Sequence, residues 1–237
     1  MIKNIMNSIG RSNLANREKW LEEILRKIPK GLTILDAGAG ELRYKKFCSH
    51  LNYVSQDFGE YNGNGDGFGM QTGEWDQTRI DILCDIINIP VMDNSYDAIM
   101  CIEVFEHLPD PVKAINEFSR ILKPNGYLII TAPFISLTHF APFHFATGFN
   151  KYFYRHHLSK FNFNIIEEIP NGNFYESIAQ EIRRVNFVVK TYSGKKLNIW
   201  DKFVIFLTLN LLEKYEKYDI NSSDILNYGY HILAIKK

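Results

Sequence analysis

Apolar and polar positions change their spacing several times along this chain, and each change marks an element. Over residues 16–28, Trp20, Leu21, Ile24, Leu25 and Ile28 recur at helical spacing until Pro29-Lys30-Gly31 stops the run, which predicts an amphipathic helix. Leu32-Thr33-Ile34-Leu35 is then a short apolar run with a β-branched centre. It ends on Asp36-Ala37-Gly38-Ala39-Gly40-Glu41, and residues 42–50 return to a helical reading. A buried parallel strand passes into a crossover helix in this way. Strand-like runs follow at 53–57, 80–85, 97–102 and 127–132, and the third of these is apolar enough to be buried on both faces. Asp110-Pro111 opens a helix with an acid at the N-cap and proline in the first turn, and Lys123-Pro124-Asn125-Gly126 turns the chain into the next strand. Beyond residue 160 the pattern gives a strand at 161–169, a helix from 174 with Ile178, Ile182, Val185 and Val189 on one face, another over 199–217, and a last strand at 228–235.

Strands alternating with helices predict an α/β fold: a doubly wound, Rossmann-like, mostly parallel seven-stranded sheet with helices on both faces and extra C-terminal helices. In such a sheet ligands bind outside the carboxyl ends of the strands, where Asp36, Asp57 and Asp85 all fall. The chain has 237 residues, 46% of them hydrophobic, which suits one domain over 1–237. Its core is read as about 30–170 plus the last strand at 228–236, with inserted helices at 174–217. Twenty-seven basic residues balance twenty-seven acidic ones, so no global field draws the protein to nucleic acid. Cys48, Cys84 and Cys101 form an odd set without metal-ligand spacing. With no long apolar stretch in residues 1–5 or elsewhere, they point to a soluble, cytoplasmic protein.

The candidate chemistry begins at the glycine turn. After Gly38-x-Gly40-x-x comes Arg43 rather than the third glycine of a dinucleotide fingerprint, and an acid against the turn repels phosphates while suiting an ammonium group. Asp57 lies 21 residues after Asp36, a spacing that suits ribose hydroxyls. Residues 59–74 hold six glycines; a calcium loop starting at Asn62 fails because Glu74 comes one residue late. The segment reads as a flexible loop and a candidate lid. Glu103-x-x-Glu106-His107 has the spacing to converge on one helical face. Residues 134–161 concentrate aromatic side chains around His139, His144, His156 and His157, so the segment reads either as a water-excluding rim with a histidine base or as an aromatic core with surface histidines. His144, between Phe143 and Phe145, is the preferred base. No Gly-x-Ser-x-Gly elbow or Gly-Lys-Ser/Thr turn supports a hydrolase or nucleotidase.

Asp36, Gly38 and Gly40 resemble motif I of the class I S-adenosylmethionine-dependent methyltransferases, D/E-x-G-x-G-x-G, with Leu42 at the third glycine. Residues 85–133 are similar to the type 11 methyltransferase domain family: Asp85-Ile86, Ile89-Pro90, Ser95-Tyr96-Asp97, Glu103-Val104-Phe105-Glu106-His107-Leu108, Glu117, Arg120-Ile121-Leu122-Lys123-Pro124-Asn125-Gly126 and Thr131-Ala132-Pro133. The resemblance, over about residues 30–135, implies S-adenosyl-L-methionine as cofactor. It gives Asp36 to the methionine amino group, Ala37, Gly38 and Gly40 to the turn, Asp57 to the ribose, Asp85 to the adenine amino group and Ile86 to the ring. Position along the chain, apart from the resemblance, puts Glu103 after the fourth strand and so near the cofactor, makes His107 and His144 the candidate catalytic residues, and sets the segment 134–161, after the fifth strand, on the acceptor side. The implied activity is methyl transfer to a small-molecule acceptor, at oxygen.

Two alternatives stay open. Ubiquinone-pathway O-methyltransferases and small-RNA 2′-O-methyltransferases with a similar E-x-x-E-H bind a divalent cation, which implies metal-assisted methylation of a catechol-like ring or an RNA 2′-hydroxyl. His139 or His144 would complete the cage; no residue is assigned to a metal here. The other alternative is a non-catalytic protein that binds the cofactor. Between Ile182 and Trp200 the chain carries Arg183, Arg184, Lys190, Lys195 and Lys196 without an acid. Followed by Phe203-Val204-Ile205-Phe206-Leu207, this reads either as a solvated face beside a core helix or as a peripheral contact with membrane or a lipid-linked acceptor. No pattern specifies an oligomeric state.

Overall fold

Side chains along the central strands alternate between two cores, and this alternation fixes where the helices lie. The computed structural model describes residues 8–237, so the reading of residues 1–5 lies outside the described residues. The strands are β1 (Thr33–Ala37), β2 (Asn52–Asp57), β3 (Ile82–Leu83), β4 (Tyr96–Ile102), β5 (Leu122–Pro133), β6 (Phe163–Asn171) and β7 (Gly229–Lys236). The helices are α1 (Asn13–Lys27), α2 (Pro111–Ile121), α3 (Lys151–Lys160), α4 (Phe174–Tyr192) and α5 (Ile199–Glu216). The seven strands form one sheet in the order β3-β2-β1-β4-β5-β7-β6. β1, β2, β3, β4 and β5 pair in parallel, whereas β7 runs antiparallel to β5. Leu35, Ile99, Leu128 and Ile232 enter one core with Ile115 and Phe118 of α2 and Tyr154 and Leu158 of α3. Ile34, Met100, Ile129 and Leu233, one position away on each strand, enter the other with Trp20, Leu21 and Leu25 of α1. The period of two thus produces a sheet covered by helices on both faces.

The chain falls into two compact units. One spans residues 20–169 and 229–237 and holds nearly all of the sheet. The other joins the described residues up to Lys19 with residues 170–228 and holds α4 and α5. Its apolar centre is small: Ile9, Ala179 and Leu209, with Tyr175, Ile182, Ile205 and Leu212 around them.

Three elements differ from the sequence pattern. Residues 42–50 are not an α-helix but turns and one 3-10 turn, Lys45–Phe47. Leu42 adopts φ +63°, and a left-handed residue cannot start a right-handed helix. β3 shrinks to Ile82–Leu83, an edge strand paired only at Gln56↔Ile82 and Asp57↔Leu83. Helix α3 arises where only aromatic density was visible; Asn150 caps it, its Oδ1 accepting from the backbone N–H of Tyr152 and Phe153.

Two of the motif residues are structural. Glu117 accepts the Ile89 N–H at 2.8 Å, and Arg120 beside it donates to the carbonyls of Ile89 at 3.0 Å and Val91 at 2.8 Å. They pin α2 to the segment that follows β3 and so hold Asp85 and Ile86 in place.

Candidate functional site

The site grows from the end of β1. Gly38 and Gly40 take φ of +77° and +50°, which a side chain would oppose. Space is the second constraint: a Cβ on Gly40 would stand 2.7 Å from Trp75 Cζ2, and one on Gly38 would strike Val104. The N–H groups of Gly38 and Ala39 both donate to the Gln56 carbonyl at 2.9 Å, and the Gly40 N–H donates to Asp57 Oδ2 at 2.8 Å. Leu42 stands at the third glycine of the motif and keeps the left-handed conformation that glycine would favour.

The strand-end acids have different surroundings. Asp57 is buried, and its Oδ1 also accepts from Gln77 Nε2 at 2.7 Å and the Gly59 N–H at 3.1 Å. Asp85 is exposed, its Oδ1 accepting the Ile87 N–H at 3.1 Å, while Ile86 and Ala37 enter the core. Asp36 lies beneath the turn, 2% exposed, and its Oδ2 accepts the Tyr53 hydroxyl at 2.6 Å. Burial pushes its pKa up to about 7 against the lowering effect of that hydrogen bond.

Gln56, Trp75 and Gln77 belong to the same cluster, and the sequence did not single them out. Gln56 ties the turn to the end of β3, donating from Nε2 to the Cys84 carbonyl at 2.8 Å. The available signal is a buried polar run, Ser55-Gln56-Asp57, at the end of a strand. The glycine-rich loop after β2 is anchored. Tyr61, Trp75 and Phe140 meet edge to face with centroids 4.5–5.6 Å apart, and Gln71 Nε2 donates to the Ala141 carbonyl at 3.1 Å. Loop and aromatic segment thus hold each other beside the glycine turn.

A second cluster follows β4. Glu103 takes φ +57° and its Oε1 accepts the Thr131 hydroxyl at 2.8 Å; a 3-10 turn, Phe105–His107, comes next. Residues 103–107 are therefore no α-helix, and the expected convergence of Glu103 with Glu106 and His107 on one helical face does not occur. His139 joins Glu106 and His107 instead, with one ligand atom from each within 4.8 Å of the others. Glu106 is 1% exposed, its Oε1 lying 3.7 Å from His107 Nε2 and 3.8 Å from His139 Nε2. His107 Nδ1 is 2.6 Å from the Phe143 carbonyl oxygen. A carbonyl can only accept, so Nδ1 carries the proton and Nε2 presents its lone pair. Burial first, then His139, pulls the His107 pKa down to about 3. His144 lies close by, 4.9 Å from His139 and 6.0 Å from His107 between centroids, its Nε2 3.1 Å from the Ser136 hydroxyl. Burial and His139 lower its pKa as well. His156 and His157 sit on α3 instead.

A mostly parallel sheet with one reversed strand, β7, set between β5 and β6, and a glycine turn after β1 with acids at or just past the ends of β1, β2 and β3, is a doubly wound arrangement that binds ligands outside the carboxyl ends of its strands. Residues 63–130 match the family model described as a methyltransferase domain. Over 118 residues it is 28% identical to the tRNA (carboxymethyluridine(34)-5-O)-methyltransferase of Arabidopsis thaliana, covering 48% of this chain and 27% of the relative. Over 36 residues it is 42% identical to the ubiquinone biosynthesis O-methyltransferase of Alkalilimnicola ehrlichii, covering 15% of each. These matches span far less than two thirds of either curated relative. The crystal structure of a SAM dependent methyltransferase from Archaeoglobus fulgidus shares the fold across 93% of both chains, with a TM-score of 0.57 and 16% identity.

Proposed function

We propose that this protein transfers the methyl group of S-adenosylmethionine to an oxygen of a small-molecule acceptor. The observation that carries the reading is the tie between the Gly40 N–H and Asp57, which fixes a buried carboxylate at the mouth of a turn no side chain can enter. A nucleoside would engage Asp57 through its ribose hydroxyls, in exchange for Gln77, and Asp85 through the adenine amino group. Asp36 would answer the methionine ammonium. Attack of the acceptor oxygen on the methyl carbon, in line with the breaking C–S bond, leaves a neutral thioether and sends the hydroxyl proton to a base. His144 suits that task better than His107, whose deeply depressed pKa makes it a weak base. Tyr61, Trp75 and Phe140 would keep water from the sulfonium.

Calorimetric titration with S-adenosylmethionine and S-adenosylhomocysteine tests the cofactor half. Micromolar binding is expected, with losses in Asp57→Ala and Asp85→Ala of roughly tenfold or more, the worth of a hydrogen bond to a charged group. A folded wild-type protein that binds neither ligand ends the reading. Transfer of a labelled methyl to a panel of hydroxyl compounds, RNA included, then identifies the acceptor.

The Glu106, His107 and His139 cluster favours a second reading, in which a divalent cation polarises the acceptor hydroxyl. The His107 tautomer supports it, since the proton on Nδ1 goes to a carbonyl and the lone pair on Nε2 faces Glu106. Manganese binding detected by electron paramagnetic resonance, abolished in Glu106→Gln, is the expected result under this reading. Methyl transfer indifferent both to chelator and to Glu106→Gln would remove it.

A further inference from the structure

Helix α5 has two apolar faces and buries one of them. Ile205, Leu209 and Leu212 point inward, and Leu209 is only 5% exposed among Ile9, Tyr175, Ala179 and Ile182. Trp200, Phe203, Val204, Leu207 and Leu211 recur at three- and four-residue steps, which places them together on the opposite side. All five are exposed, Trp200 by 73%. Phe187, Val188 and Tyr192 at the end of α4 and Ile199 at the start of α5 extend the same exposure to the tip of the helical hairpin. Isolated exposed apolar residues are ordinary, but a contiguous set with helical spacing marks a contact surface.

The charges beside this surface narrow what it meets. Lys190, Lys195, Lys196 and Lys202 surround the tip, all exposed, and residues 182–200 contain no acid. Next to them is a cavity of about 580 Å³ lined by Arg11, Arg183 and Lys202 at its polar side and by Ile182, Leu197 and Leu209 at its apolar side. Arg11 and Arg183 lie near each other at this cavity, with Glu213 and Glu176 also facing Arg183. Two copies of this chain packed face to face about a twofold axis would set the lysines of one against those of the other, a costly arrangement. A layer of anionic headgroups over acyl chains complements both the cations and the aromatic and aliphatic side chains. The 18 residues of α5 extend about 27 Å at 1.5 Å per residue. No helix among the described residues is long and apolar enough to cross a membrane, so this one would lie in the interfacial plane.

We infer that the α4–α5 hairpin tip is a peripheral docking surface for an anionic phospholipid bilayer, with Trp200, Phe203 and Leu207 entering the headgroup boundary and Lys190, Lys195, Lys196 and Lys202 meeting lipid phosphates. The inference is independent of the proposed methyl transfer and holds or falls by itself.

Flotation of the full-length protein with vesicles of phosphatidylcholine containing phosphatidylglycerol, beside pure phosphatidylcholine vesicles, tests it. Binding to the anionic vesicles, weakened by salt, is expected. Trp200 fluorescence should shift to the blue, since Trp20 is buried and Trp75 half-buried. The surface pair Trp200→Glu and Phe203→Glu should abolish binding, and Lys195→Glu with Lys196→Glu should weaken it roughly 30-fold or more, at the usual worth of a basic residue near an anionic leaflet. Circular dichroism and sedimentation velocity establish that each variant is folded. Absence of binding by the wild type, equal binding to both vesicle types, or a dimer that the Trp200→Glu pair dissociates without any vesicle binding would each overturn the inference.

Discussion

Asp36 is the residue whose charge depends most on what occupies the site. Burial lifts its pKa to about 7, so near neutrality its carboxyl is divided between its two protonation states. An ammonium group brought close stabilises the carboxylate and lowers that pKa. Cofactor binding below pH 7 should therefore release protons, and affinity should fall by up to about tenfold for each pH unit below 7. Titration calorimetry in buffers of different ionisation enthalpy measures the release directly; the expected count lies between zero and one at pH 6.5 and disappears in Asp36→Asn. A buffer-independent enthalpy in the wild type would separate Asp36 from the ligand's charge. The same shift bears on folding, because the folded-state pKa is raised above the ordinary value of 3.8. The stability contributed by protonated Asp36 is complete below that value and is lost as pH rises through about 7. At this scale the sequence revealed Asp36, Gly38, Gly40 and Asp57, because an acid at a strand end and a glycine turn are local patterns. Gln77 and Trp75 come to the site through the long loop after β2, and no local spacing announces them; His139 was visible only as one of several histidines in an aromatic segment.

At the level of elements, the loop after β2 takes space that a helix would fill in a fully wound sheet. Ring contacts from Tyr61 and Trp75 to Phe140, and Gln77 on Asp57, couple its conformation to the glycine turn. Aromatic pairs of this kind contribute about 1 kcal/mol each beyond their burial. Deleting residues 62–72 removes the Gln71 Nε2 bond to the Ala141 carbonyl that ties the loop to the aromatic segment, and should speed dissociation of S-adenosylmethionine by about tenfold, measured by stopped-flow displacement. An unchanged rate in a folded deletion variant would leave the loop without a role in retention. Periodicity revealed α1, α2, α4, α5 and the central strands, since each buries one face over several turns or pleats. It failed at residues 42–50, where Leu42 holds a conformation that its side chain does not advertise. It also failed at α3, where Phe149, Tyr152, Phe153 and Tyr154 blur any helical period.

For the molecule as a whole, alternation of strands and helices was enough to define the fold class, because parallel strands require crossovers and crossovers require covered faces. The two-unit organisation was hidden. Its smaller unit is assembled from distant segments through contacts such as Gly10 N–H to Glu176 Oε2 at 2.7 Å and the Tyr228 hydroxyl to the same oxygen at 2.6 Å. Zero net charge says nothing of position, and the local concentration of lysines was legible only from the order of residues between Ile182 and Trp200.

The place of β7 has a consequence for synthesis. This strand lies between β5 and β6 and pairs with β5 from Tyr127↔Ile235 to Pro133↔Gly229. A nascent chain emerging from the ribosome has β5 and β6 in hand long before residues 229–236 exist, and until then each presents an unpaired edge. Local elements can form early, but the sheet stays open at its middle. A ribosome stalled anywhere between residues 172 and 228 would therefore hold an aggregation-prone intermediate, and a chaperone that shields strand edges would act in that interval.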